Sequence, residues 1–113
     1  MGDIGDCYEA ALHFIMDRCM FSSDCPLKLV HAEVTGQGSL EGVNYGHAFV
    51  LDGDRVIDPS NGRMLQLPKE TYYAIGQIDK NDNTIVYDWP AAKKRMMEFK
   101  HYGPWDLETS TGL

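Results

Sequence analysis

A thiol, an imidazole and a carboxylate follow one another along the chain, as Cys7, His47 and Asp58. Cys7 stands where a helix is predicted to begin, His47 opens an apolar strand, and Asp58 closes the strand after it. A cysteine nucleophile needs these three groups: a sulfur that attacks, a base that moves the proton, and a carboxylate that orients the base. The sequence therefore predicts nucleophilic attack on a carbonyl carbon, provided that the fold brings the three side chains together.

The turn between the second and third predicted strands decides how His47 and Asp58 can meet. If Asp52-Gly53 forms the turn, His47 lies directly opposite Asp58, with Cβ atoms about 4.5–5.5 Å apart. If Gly53-Asp54 is the turn, Asp58 faces Phe49 and is a diagonal neighbour of His47, about 7–8 Å away. Both registers place the imidazole and the carboxylate on one face of the sheet, because side chains alternate along a strand.

The predicted first helix supplies the setting of Cys7. Asp6 is a suitable N-cap, Glu9 completes a capping-box-like pair, and apolar residues continue at helical spacing to about Met20. Unpaired N–H groups and the dipole at the start of a helix stabilise an anion. They favour a thiolate at Cys7, and the same groups could hold the oxyanion of a tetrahedral intermediate.

The remaining pattern predicts a single α+β domain over residues 1–113. Its expected architecture is an N-terminal helix packed on a mostly antiparallel sheet of four or five strands, followed by a C-terminal helix. Strands are expected at residues 27–35, 45–51, 55–58, 63–67 and 84–87. One or two helical turns are expected over residues 68–75.

The last helix is expected to begin at a cap, Asp88, and to end before Gly103-Pro104. Its apolar side chains are expected to face inward, namely Met96, Met97 and Phe99. The tail over residues 108–113 is expected to fray.

The net charge of the chain disfavours two classes of function, nucleic-acid binding and binding to anionic membranes. The chain has 17 acidic and 10 basic residues, for a formal charge of −7. This charge disfavours nucleic-acid binding, which usually needs a basic patch, and it disfavours attraction to anionic membranes. No apolar run approaches the ~20 residues of a membrane-spanning helix, and no signal peptide is visible. We therefore expect a cytoplasmic protein.

The three cysteines are Cys7, Cys19 and Cys25. An odd number without a signal peptide argues against a disulfide framework, so Cys19 is predicted to be a buried helical residue and Cys25 a loop thiol. Their spacing to His13 and His31 matches no zinc motif, and the glycines of residues 36–42 match no phosphate-binding loop. No metal and no cofactor are expected.

Two residues offer alternatives to the principal assignment. His31 lies on a neighbouring predicted strand and could line the same face as a second candidate base. Asn61 could orient the base if Asp58 points away. Four aromatic residues are expected in the core or at its rim rather than as substrate platforms: Tyr45, Trp89, Tyr102 and Trp105.

In these local settings the chain resembles the papain-like superfamily, and more closely its transglutaminase-like branch. The resemblance rests on Cys7 at a helix start, on Gly46-His47-Ala48-Phe49 in one strand and on Val56-Ile57-Asp58-Pro59 at the end of the next. As a whole the chain looks like small papain-fold proteins of bacteriophages. The chain departs from the family where Phe49 replaces a tryptophan.

The resemblance implies Cys7 as nucleophile, His47 as general base and Asp58 as the group that orients the base. It also implies a cleft between the first helix and the sheet, and acyl transfer on an amide of a protein or peptide: hydrolysis, deamidation of glutamine or transamidation. We therefore expect a small intracellular cysteine hydrolase or acyltransferase, in the host cytoplasm if a phage encodes it. The alternative is a non-catalytic acidic module that binds another protein, as a phage accessory or inhibitor protein would.

Overall fold

Three helices and five strands lie in the parts of the chain that the structure, a computed structural model, describes: residues 7–20, 25–36, 42–60, 64–78 and 83–107. In chain order the elements are α1 (Cys7–Cys19), β1 (Lys28–Thr35), β2 (Asn44–Asp52), β3 (Arg55–Asp58), β4 (Leu65–Pro68), α2 (Lys69–Ile75), β5 (Thr84–Asp88) and α3 (Trp89–Phe99). The α+β architecture expected from the sequence is confirmed. None of the helices in these ranges combines the length and the apolarity that a bilayer span requires.

The five strands form one antiparallel sheet in the order β4-β3-β2-β1-β5. β1 pairs with β2 along its whole length, whereas β3 pairs with β2 only from Asp52 opposite Arg55 to Val50 opposite Ile57. This register leaves Gly53 and Asp54 as the turn, the second of the two possibilities considered above. Gly53 has a φ of 61°, a left-handed conformation that glycine adopts without steric strain.

Both faces of the sheet are covered in the middle, which explains why β1 and β2 read as nearly continuous apolar runs. One face, here called the helix face, packs against α1. Its buried residues include Leu29, Ala48 and Val50 of the sheet with Ala11, Leu12 and Ile15 of the helix. The other face, here called the α2 face, carries Val30, Ala32, Phe49 and Val56, and Tyr72 and Tyr73 of α2 pack on it.

The end of α1 differs from the prediction of separate thiols. Cys19 and Cys25 are joined by a disulfide across a sequence separation of 6, with their Cα atoms 5.4 Å apart. The prediction was wrong because counting cysteines does not show which of them the chain brings together when it turns back after a helix. The remaining cysteine, Cys7, is free.

The last helix is capped as expected but is oriented differently. The side chain of Asp88 accepts a hydrogen bond of 2.9 Å from the backbone N–H of Ala91. The inward face, however, is formed by Trp89 and Ala92, while Met97 and Phe99 are 65% and 46% exposed. Met96 packs against the helix-face cluster as expected, whereas the expectation that Met97 and Phe99 face inward was wrong, because the end of α3 extends beyond the core. The predicted cap Asp6 and the tail over residues 108–113 lie outside the described residues.

Candidate functional site

His47 and Asp58 are joined by a hydrogen bond of 2.8 Å between Nε2 and Oδ2. Continuing the β2–β3 register places Asp58 opposite Phe49, so His47 is its diagonal neighbour. Both side chains lie on the α2 face. His47 is two positions from Phe49 and Asp58 is two positions from Val56, and residues two apart in a strand share a face. The structure thus brings together the imidazole and the carboxylate that the sequence singles out.

Asp58 is held by more donors than His47 alone. Its Oδ1 accepts hydrogen bonds from the backbone N–H and the hydroxyl of Ser60, at 3.2 and 2.7 Å. Its Oδ2 also accepts a bond of 2.7 Å from the hydroxyl of Tyr72. Burial alone would raise the pKa of Asp58, but the hydrogen bonds from His47, Ser60 and Tyr72 and the charge of His47 hold it well below its usual range. Asp58 is therefore an ionised carboxylate at neutral pH.

His47 lies between this carboxylate and the thiol of Cys7. Burial would lower the pKa of His47, but hydrogen bonds to the side chains of Asp58 and Cys7, together with their negative charges, raise it to about 10. Because Nε2 faces Asp58, the nitrogen left for the sulfur is Nδ1. An imidazolium in this position lies between a buried carboxylate and the sulfur of Cys7, which is the arrangement a cysteine nucleophile requires.

Cys7 is the first residue of α1 and is 6% exposed. It packs with the cluster of the helix face, whereas the ring of His47 contacts Tyr45 and Phe49 on the α2 face. Their contact therefore joins the start of α1 to the part of β2 that β3 no longer flanks. Cys7 lies in the first turn of α1, and the first turn of a helix leaves its backbone N–H groups without partners in the helix itself.

Two residues of the site were not found by sequence reasoning. Ser60 follows Asp58 by two positions, and an aspartate that accepts from the residue two positions later is a common turn motif, so the signal was present in Asp58-Pro59-Ser60. Tyr72 had no such signal, because it comes from α2 and reaches Asp58 only through the packing of that helix on the sheet. Burial and the charge of Asp58 raise the pKa of the Tyr72 phenol, so it is a neutral donor.

An open pocket of about 280 Å³ borders the site, and His47, Asp58 and Tyr72 are among its lining residues. It lies between α2 and the ends of β1, β3 and β4. A larger depression of about 530 Å³, which includes Asp54 and Lys69, lies at the opposite end of β3. We relate the smaller pocket to function because it contains the perturbed ionisable groups.

His31, the second candidate base, is not part of this site. It lies opposite Ala48 on the helix face, with no exposed surface, and it packs against Tyr8, Tyr87 and Trp105. Within the part of the chain that the structure describes, neither ring nitrogen has a hydrogen-bond partner. Burial lowers the pKa of His31 to about 4, although the charge of Asp106 opposes the shift. The expectation that His31 could share the face of His47 was wrong. Its neighbours in β1, Val30 and Ala32, lie on the α2 face with His47, so His31 lies on the opposite face.

The other residues considered from the sequence are Asn61 and four aromatic residues. Asn61 lies outside the described residues. Trp89 is buried at 5% exposure, and Tyr102 and Trp105 pack against the helix-face cluster, while Tyr45 lines the pocket. Within the described ranges, no set of histidine, cysteine or acidic residues is grouped so that it could hold a metal ion.

Comparison of the chain with protein-family models, with curated proteins and with solved structures found no match. The resemblance to the papain-like superfamily therefore stays a prediction from the motifs.

Proposed function

We propose that this protein is a small cysteine hydrolase or acyltransferase that acts on an amide, with a protein or peptide as substrate. Cys7 is the nucleophile, His47 the general acid and base, and Asp58 the group that positions His47. The observation that carries the proposal is the hydrogen bond of His47 to a buried carboxylate with four donors around it, together with the interaction of the Cys7 thiol that helps to raise the pKa of His47.

The reaction follows from the position of each group. The Cys7 thiolate attacks the carbonyl carbon, and N–H groups at the start of α1 stabilise the oxyanion. The carbon–nitrogen bond breaks as the leaving nitrogen takes the proton of the His47 imidazolium, and a thioester remains on Cys7. Water, or an amine in a transamidation, then loses a proton to His47 and attacks the thioester. The carbon–sulfur bond breaks and the thiolate and imidazolium are restored.

Asp58 contributes by orientation and charge. Its bond to Nε2 directs Nδ1 toward the sulfur, and its negative charge stabilises the imidazolium. Ser60 and Tyr72 hold the carboxylate in place, so they act as positioning residues. No metal or organic cofactor is needed for this chemistry.

The first prediction tests the nucleophile. We expect iodoacetamide to alkylate Cys7 at neutral pH at least about tenfold faster in the native protein than in the urea-unfolded protein, because only the native fold pairs the sulfur with an imidazolium. Peptide mapping by mass spectrometry identifies the modified site. Cys7→Ala should lose this labelling and all activity in screens for amide hydrolysis, glutamine deamidation and amine incorporation, while its circular dichroism stays unchanged.

The matched control is a double variant, Cys19→Ala with Cys25→Ala, which removes the disulfide and leaves Cys7 in place. It should keep the fast alkylation. If the native protein reacts no faster than the unfolded one, the proposal is wrong, and the acidic protein-binding module remains as the other prediction from the sequence.

The cytoplasmic location also stays a prediction. A disulfide such as Cys19–Cys25 is typical of oxidising compartments, so this bond argues against that prediction. Measuring the free thiols of the protein in freshly lysed cells, with alkylation before lysis, decides whether the bond exists where the protein works.

A further inference from the structure

The chain that follows α3 covers His31 with a short segment that is neither helix nor strand, residues 101–107, here called the strap. Gly103 of the strap lies against the ring of His31. A Cβ added at Gly103 would lie 2.8 Å from Cε1 of that ring and 3.1 Å from Cδ1 of Tyr8. Trp105 packs on the same ring, with the two centroids 5.1 Å apart. The strap is therefore part of the cover that leaves His31 with no exposed surface.

The neighbours of His31 on the helices and strands give a charged ring no hydrogen-bond partner. Tyr8 of α1 and Tyr87 of β5 contact it with their rings, at centroid distances of 4.9 and 5.1 Å. The residues opposite it in the sheet are apolar, Ala48 on β2 and Ile85 on β5. Both nitrogens of the ring are without a partner among the described residues. Because a buried charge is costly unless it is paired and hydrogen-bonded, the closed strap requires a neutral His31.

Asp106 fastens the strap and is also the charged group that acts on His31. Its Oδ2 accepts hydrogen bonds from the hydroxyl of Tyr87, at 2.6 Å, and from Nε of Arg95 on α3, at 3.0 Å. These two bonds hold the pKa of Asp106 below its usual value, so the carboxylate stays ionised as the pH falls toward 4. Its charge favours a protonated His31, but burial outweighs that charge and lowers the pKa of His31 to about 4.

Two further histidines contact the strap and titrate in the same range of pH. His13 of α1 shares a hydrogen bond of 2.9 Å between its Nε2 and the hydroxyl of Tyr102. Nδ1 of His101 accepts a hydrogen bond of 3.1 Å from the backbone N–H of Gly103. Both side chains are exposed, so water solvates their charged forms, whereas the closed strap excludes water from His31. An experiment on the strap must still separate these two histidines from His31.

We propose that His31 is an acid-sensitive latch, whose protonation releases the strap from the helix face while the rest of the domain stays folded. In the released state the ring is in water and has an ordinary pKa of about 6.5. The ratio of released to closed strap therefore rises about tenfold for each unit by which the pH falls between about 6.5 and 4. Release uncovers Tyr87 and also Tyr8, which follows Cys7 in α1. The inference does not depend on the proposed function.

The experiment uses the two tryptophans of the chain, both replaced by 5-fluorotryptophan and observed by ¹⁹F NMR. Trp105 reports on the strap. Trp89 is 5% exposed within the helix-face cluster, so it reports on unfolding of the whole domain. Between about pH 7 and pH 4 we expect the Trp105 signal to move to the position of a solvent-exposed fluorotryptophan, while the Trp89 signal stays at its native position.

Variants identify the group that takes up the proton. His31→Phe keeps an aromatic ring under the strap but cannot be protonated, so the Trp105 signal should stay native down to about pH 4. His101→Gln and His13→Gln, the matched controls, should release the strap as the wild-type protein does. Asp106→Ala removes the acceptor that fastens the strap and the charge that favours a protonated His31, so release should move to higher pH.

Three results would overturn the latch. A Trp105 signal that is still native at pH 4 means that acid does not release the strap, and a change of both signals together means that the whole domain unfolds instead. Release that persists in His31→Phe and disappears in either control variant assigns the proton to another histidine. If His31→Phe does not fold, as the Trp89 signal would show, Gly103→Ala decides. Its methyl group should push the strap off the ring at neutral pH, and a native Trp105 signal there would contradict the proposal.

Discussion

At the scale of single residues, Asp58 determines the electrostatics of the site. It is an ionised carboxylate at 8% exposure, and such a group is stable only where donors replace the water it has lost. Ser60, Tyr72 and His47 supply those donors. The strongly shifted pKa values of Asp58 and His47 are thus two consequences of one hydrogen-bonded cluster.

A prediction at this scale concerns Tyr72. Tyr72→Phe removes one hydrogen bond to a buried carboxylate, which is typically worth about 1.5–3 kcal/mol, and it should lower the free energy of unfolding in urea by that amount. It should also raise the pKa of Asp58, because the Tyr72 hydrogen bond helps to hold that pKa down, as followed by NMR titration. Tyr73→Phe, on the same helix, is the control, since no hydrogen bond from Tyr73 to Asp58 is present in the described structure. Unchanged stability and pKa values in Tyr72→Phe would show that this hydrogen bond contributes nothing.

At the scale of elements, the site depends on where β3 ends. β3 is a short strand, Arg55–Asp58, and its end leaves His47 without a strand neighbour on that side. Helix α1 packs on β2 and β1, and Cys7 at its start interacts with the imidazole of His47. Helix α2 closes the other side and adds Tyr72. The catalytic proposal therefore needs three elements in fixed relation, and each of them is stabilised mainly by burial in the two clusters on the faces of the sheet.

A second prediction tests an element directly. Asp88 caps α3 by accepting a hydrogen bond from the N–H of Ala91. Asp88→Ala should cost about 1 kcal/mol of unfolding free energy, whereas Asp88→Asn should retain nearly all of it, because asparagine caps a helix about as well as aspartate. Urea denaturation of the three proteins checks this. Equal losses in both variants would mean that the charge rather than the cap hydrogen bond stabilises α3.

At the scale of the whole molecule, the two buried histidines should give stability a maximum near neutral pH. The pKa of His31 is lowered to about 4, so the unfolded chain, with an ordinary value of about 6.5, binds more protons between these values. Stability therefore falls as the pH falls from about 6.5 to 4. The pKa of His47 is raised to about 10, so its contribution is complete below about 6.5 and is lost as the pH rises toward 10.

The third prediction is the pH profile of the free energy of unfolding. It should peak near pH 6.5, fall by roughly 3 kcal/mol toward pH 4 through His31, and fall again toward pH 10. Below about pH 4 the protonation of Asp58, whose native pKa is depressed, adds a further loss. His31→Leu should remove the fall between pH 6.5 and 4, while His13→Leu, at an exposed position of α1, should keep it. A profile that is flat over this range in the wild-type protein would contradict the buried, neutral state of His31.

Local patterns were sufficient for much of the fold. Apolar runs bounded by turn residues identified β1, β2 and β3, and the spacing of apolar residues identified α1 to within one residue of its end. The turn residues restricted the β2–β3 hairpin to two registers, and both kept His47 and Asp58 on one face. These predictions succeed because the side chains concerned are related through a strand or a turn of fixed geometry.

The failures share one cause. The disulfide of Cys19 with Cys25, the exposed end of α3 and the position of His31 all depend on how elements pack against one another. The spacing of apolar residues predicts which face of a helix or strand is apolar. It does not predict how much of that face another element covers, or which residues of a neighbouring strand lie on the same face of the sheet.

The sequence by itself determined the alternation of the strands, the hairpin that pairs His47 with Asp58, and a thiol at the start of the first helix, because each depends on residues close together along the chain. Only the tertiary structure decided that Cys7 at the start of α1 interacts with His47, that Tyr72 completes the shell around Asp58, and that His31 is buried on the opposite face. Those relations join residues far apart in sequence, and they arise from how the apolar faces of separate elements exclude water together.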